Sequence, residues 1–126
     1  MTIPAATFFC ALLFGLGMFQ LLLAAGAPVG HFAWGGQNRV LPVRLRLGSV
    51  VSAALYAAFA MVALDRAGLI SVLPDQVAQI AMWVVVGVLV LGTIPNLISR
   101  STPERYVMAP LSLLLSGLGA VIALGW

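Results

Sequence analysis

Four apolar runs, each close to the length that crosses a bilayer, constrain this chain more than any other feature. A helix rises about 1.5 Å per residue, so about 20 apolar residues span the hydrocarbon. Residues 4–25, 42–64, 76–94 and 110–125 are such runs. Of the 126 residues 63% are hydrophobic and 7% charged, and a soluble domain of this size has too little interior to bury so much apolar surface. A water-soluble enzyme, a disordered tail and a secreted disulfide scaffold are excluded. The lone cysteine, Cys10, lies inside the first run and has no second thiol for a disulfide or a metal pair. The expected fold is all-α: an integral membrane four-helix bundle forming a single transmembrane domain over residues 1–126, with a Gly-rich loop between helices one and two.

The ends of the runs carry readable chemistry. No Lys or Arg precedes Arg39, so the basic region of a signal peptide is missing and the first run reads as a retained helix. Asp65-Arg66-Ala67-Gly68 closes the second helix with a charged pair and a glycine stop. Pro74-Asp75 opens the third, and Pro95-Asn96 should end or kink it. Ser101-Thr102-Pro103-Glu104 has the form of a capping box, which starts a helix ahead of the fourth span and leaves Pro110 to bend it. Arg39 before Pro42 and Arg105 before Pro110 form a weak internal repeat, compatible with two parallel helical hairpins. Chance likeness of two membrane entries is the simpler account.

An even number of spans puts both termini on one side and the connections 26–41 and 95–109 on the other. That second side holds Arg39, Arg44, Arg46, Arg100 and Arg105, while Arg66 alone faces the first. Short loops with such an arginine excess are cytoplasmic. The expectation is a bacterial inner membrane protein with both termini outside and loops 26–41 and 95–109 inside. Six arginines divided among short loops form no continuous basic stripe, so nucleic acid is not an expected partner.

Inside a bilayer, close approach of small residues replaces the hydrophobic drive between helices. Ser49, Ala53 and Ala57 on helix two, and Ser112, Ser116 and Ala120 on helix four, should face other helices. Helix three, rich in Val and Leu, should face lipid more. Trp34, Trp83, Tyr106 and Trp126 have the character of interfacial aromatics. Polar residues within the spans are few: Gln20, Thr93 and Asn96 share one depth, and Tyr56 sits midway along helix two with a hydroxyl that needs a partner. For Gln20 an interhelical hydrogen bond is the plain reading and a ligand contact the sharper one.

The densest chemistry lies in Gly26–Arg39, which holds the only histidine, His31, together with Trp34, Gln37, Asn38 and four glycines. Its apolar middle suits a re-entrant turn, which is tolerated only where protein or water covers the backbone. Two helix N-termini, with Arg44, Arg46 and Arg105 in their first turns, reach the same side. Positive helix ends and guanidinium groups favour an anion such as a lipid head group. The candidate ligand-binding residues are therefore His31, Trp34, Gln37, Asn38, Arg39, Arg44, Arg46, Arg100, Arg105 and Gln20. The plainer alternative is that the arginines fix orientation and snorkel to head groups. No nucleophile–base pair, phosphate-binding loop, dinucleotide fingerprint or metal-ligand spacing is present, so no catalytic residue, metal or cofactor is expected.

The segments GAPVGHFAWGGQNRVLP and SRSTPERYVMAPLSLLL resemble those of small bacterial four-span membrane proteins. Gly26-Ala27-Pro28, Trp34-Gly35-Gly36, Arg39-x-Leu41-Pro42, Asn96, and Arg105 ahead of Pro110 carry the likeness. It implies an inner-membrane location and a compact four-helix fold, and brings no activity or site role. The leading functional expectation is a binding or accessory protein that recognises an anionic or amphipathic ligand at the cytoplasmic face. Membrane lipid is the expected partner, with a homo-oligomer or a larger membrane protein as others. The alternatives are a subunit of a small homo-oligomeric channel or transporter and, more weakly, a membrane enzyme on a lipid or quinone-like substrate.

Overall fold

The computed structural model describes all residues, 1–126. It is all-helical: α1 (Thr2–Ala24), α2 (Val43–Arg66), α3 (Asp75–Leu97) and α4 (Ala109–Leu124), the last entered through a π-helical turn at Glu104–Met108. With that turn included, all four are long and apolar enough to cross a membrane, and the architecture is that of a multi-pass membrane protein. α1 packs most extensively on α2, and α3 on α4. The α1–α4 and α2–α3 contacts close the ring. One end of the bundle carries both termini and the α2–α3 connection. The other, the loop end, carries residues 25–42 and 98–103.

The core fills the terminal half. Phe9 and Leu13 of α1, Met82 and Val86 of α3, and Leu115 and Ile122 of α4 meet there with little or no exposure. Three polar contacts fasten that end. Thr2 Oγ1 donates to the Trp126 carbonyl. Arg66 Nη2 donates to the Ala123 carbonyl at 3.0 Å, satisfying an orphan acceptor of the last turn of α4. Asp65 Oδ2 accepts from the N–H groups of Val72 and Leu73 at 2.7 and 2.8 Å. Asp65 and Arg66 thus hold two different partners rather than acting as one charged pair.

Several expectations are corrected. α3 is not the most lipid-facing helix: 33% of its span is buried, against 11% for α2. The Val/Leu run of α3 supplies Val85, Val86 and Leu89 to the core while Val84, Val90 and Leu91 face out, so two faces were hidden in one apolar string. On α2 the small-residue stripe rotates outward, from buried Ser49 to half-buried Ala53 and exposed Ala57. On α4, Ser116 is buried and Ser112 and Ala120 are half-buried, as expected. α3 does not stop at Pro95 but runs through it to Leu97.

The capping box does not form. No side chain caps the turn at Glu104. Ser101 Oγ donates instead to the His31 carbonyl, and Glu104 turns inward to 4% exposure. Pro110 does fall inside a continuous helical stretch, as expected, between the π turn Glu104–Met108 and the rest of α4. Proline lacks an N–H and its ring clashes with the carbonyl of the preceding turn. A wider i→i+5 turn just ahead of it accommodates that ring.

Candidate functional site

The loop end is built differently from the terminal half. Residues 25–42 do not pass around the bundle as a simple loop; they fold back on it through two short 3-10 turns, Gly30–Phe32 and Trp34–Gly36. The Gly30 N–H donates to the Arg39 carbonyl at 2.8 Å and closes the excursion. A Cβ at Gly30 would run into the Asn38 carbonyl, so the close approach requires glycine. Trp34 holds φ +52°, an uncommon left-handed conformation for a bulky residue. Its ring rests on α2: Nε1 donates to Ser49 Oγ at 3.2 Å, and a Cβ at Gly48 would lie 2.9 Å from the ring. Phe32 stacks edge-on against Phe19 of α1, centroids 6.3 Å apart.

This re-entrant segment roofs a chamber of about 380 Å³ between the four helices. α1 supplies Leu16, Phe19 and Gln20 to its wall; α2 supplies Ser52, Tyr56 and Phe59. Across from them lie Gly92 and Asn96 of α3, Glu104 of the π turn, and Ser112 of α4. Asn96 Nδ2 donates to Ser112 Oγ at 2.9 Å. The Gln20 amide meets the Tyr56 hydroxyl. Glu104 lies beside the Ser99 hydroxyl and the Gly35 backbone. Two acceptors remain buried without a partner: Gln20 Oε1 and Glu104 Oε2.

An apolar groove on the α1–α4 face abuts the chamber, lined by Ala11, Gly15, Val29 and Val107. Leu16, Phe19, Phe32, Met108 and Leu111 line both spaces and form the partition between them. A mostly apolar pocket that gathers Gln20, Asn96, Glu104 and Ser112 is thus separated from an apolar groove only by side chains, one of them carried on a 3-10 turn.

Of the ten residues nominated from sequence, the structure brings Gln20 and Trp34 into the chamber wall. The others lie on the rim. His31 is exposed, with Nδ1 3.2 Å from the Gly36 carbonyl. Gln37, Arg39, Arg44 and Arg100 are exposed and Asn38 is half-buried. Arg46 Nε donates to the Leu41 carbonyl at 2.8 Å, and its guanidinium lies over Gly26, just past the end of α1. Arg105 Nη1 donates to the Ser99 carbonyl at 3.1 Å and its guanidinium sits 5.0 Å from the Tyr106 ring centre. These two arginines hold backbone in place rather than line the pocket. Sequence reasoning missed Glu104, Ser52 and Ser112 as wall residues. The equal depth of Gln20 and Asn96 was the available signal, and the capping-box reading of Glu104 masked the rest. Comparison of the chain with protein-family models, with curated proteins and with solved structures found no match.

Proposed function

We propose that this protein is a small membrane binding protein that takes an amphipathic molecule into the chamber, with the polar end among Gln20, Asn96, Glu104 and Ser112 and the apolar part in the α1–α4 groove. The observation that carries this reading is the adjacency, across a partition of side chains, of an apolar groove and a mostly apolar chamber that gathers a few polar groups. Ligand sites are concave, mostly apolar, and carry a few convergent polar groups. The exposed arginines at the loop end, Arg39, Arg44 and Arg100, have a separate task in this reading. They meet lipid phosphates and hold that end at the cytoplasmic face of a bacterial inner membrane. The close-packed terminal half, filled by Phe9, Met82 and Ile122, offers nothing that favours a channel through a single chain.

The test is native mass spectrometry of the protein released from mild detergent, with Gly92→Phe as comparison. Gly92 lines the chamber, and a Cβ there meets nothing within 4 Å, so a phenyl ring can occupy the space. The wild-type protein should carry a bound amphiphile that Gly92→Phe lacks. Equal retention by both, or retention by neither, overturns the proposal.

A further inference from the structure

The chamber's unmatched hydrogen-bonding groups are all of one kind. Glu104 and Gln20 are 4% and 9% exposed, both line the chamber, and each keeps one buried acceptor oxygen without a donor. Buried acceptors in native proteins are almost always paired, so two in one pocket call for an external donor. Four donors at this end are engaged elsewhere: Trp34 Nε1 with Ser49, Ser52 Oγ with the Gly48 carbonyl, Arg46 Nε with the Leu41 carbonyl and Arg105 Nη1 with the Ser99 carbonyl; the Tyr56 hydroxyl, beside the Gln20 amide, is not among them. The remaining wall is apolar, and it includes the aromatic rings of Phe19, Phe32, Trp34, Tyr56 and Phe59 among aliphatic side chains. Aromatic faces attract cations, and a carboxylate in their midst repels an anionic head group.

We propose that the polar end of the chamber's ligand is a primary ammonium, held by the Glu104 carboxylate and the Gln20 amide oxygen within this wall. The inference rests on the amphiphile-binding reading and names the chemistry it selects. An ammonium carries three N–H donors and positive charge, so it has donors enough for both orphan acceptors and a charge that suits aromatic neighbours. The rim arginines then serve anionic lipid outside the chamber, and the two kinds of head group are separated in space.

Equilibrium binding of radiolabelled dodecylammonium, dodecanol and dodecyl sulfate to the protein in neutral maltoside micelles tests this, with uptake by Gly92→Phe subtracted as nonspecific partitioning. Dodecylammonium should bind about tenfold or more tightly than the other two. Glu104→Gln should erase that preference, and Gln20→Met should weaken dodecylammonium binding several-fold. If Gly92→Phe fails to fold, the comparison rests on Glu104→Gln and Gln20→Met. Equal or tighter binding of dodecanol or dodecyl sulfate, or a dodecylammonium preference that survives Glu104→Gln, overturns the ammonium assignment and leaves the chamber an amphiphile site. Absence of specific binding by all three overturns both.

Discussion

Trp34 Nε1 donates to Ser49 Oγ across 3.2 Å while the indole rests against Gly48, and this contact fastens the re-entrant segment to α2. Any side chain at Gly48 must push the ring away. Gly48→Val should displace the indole, at a cost of about 1–3 kcal/mol from overpacking. In a background of Trp83→Phe and Trp126→Phe, Trp34 is the only tryptophan left. Its emission should shift to the red in Gly48→Val and the melting temperature should fall. Unchanged emission would mean that the ring is not seated on α2.

Asn96 and Ser112 join α3 to α4 at the chamber wall through a 2.9 Å bond. Interhelical hydrogen bonds in membranes average about 0.6 kcal/mol in double-mutant cycles, because the separated helices also find partners. A cycle of Asn96→Ala and Ser112→Ala, read from unfolding in mixed micelles, should return a coupling of about that size. A coupling indistinguishable from zero would remove the pair from the account of helix association.

The long apolar runs made the four helices legible, because helix length is set by bilayer thickness and apolar character is read directly. Their bounds shifted by a few residues, most at α3, which continues past Pro95 to Leu97. The apolar middle and four glycines of residues 26–39 pointed to something other than a simple loop, and the structure folds this segment back on the bundle through two 3-10 turns. What could not be read was rotation about each helix axis. In a bilayer an outward Val and an inward Val are chemically alike, so the apolar string of α3 concealed which residues build the core. The same ambiguity hid the chamber. Glu104 reads as a helix cap because it sits three residues after Ser101, and only the docking of residues 30–36 turns that carboxylate inward while Ser101 reaches the His31 carbonyl. Long-range contacts of this kind leave no periodic trace in sequence.

The arginine distribution gives a topological prediction that Cys10 makes simple to test. It is the only native thiol, so Cys10→Ala provides a cysteine-free background. Gln37 at the loop end and Ser71 at the terminal end are both exposed. A membrane-impermeant thiol reagent added to spheroplasts should label Ser71→Cys, and should label Gln37→Cys only after the membrane is opened. The reverse pattern would invert the orientation and place the arginine-rich end outside, against the positive-inside rule.

Adjacent in sequence, Asp65 and Arg66 should nevertheless behave independently on mutation. Asp65 Oδ2 accepts two backbone N–H groups of the α2–α3 connection, and hydrogen bonds to a charged group contribute about 1.5–3 kcal/mol. Asp65→Ala strands both donors and should lower stability by about that amount, whereas Asp65→Asn keeps an acceptor and should lose less. Arg66 reaches a different helix, where Nη2 meets the Ala123 carbonyl at 3.0 Å. Arg66→Met should cost about 1 kcal/mol by leaving that carbonyl without its donor. Arg44, exposed at the opposite end, should tolerate the same substitution with little change. If the two residues instead formed one charged pair, the double substitution Asp65→Ala with Arg66→Met would cost clearly less than the two single losses added together. Distinct partners predict additivity within about 0.5 kcal/mol, and thermal unfolding of the four proteins in one detergent decides between them.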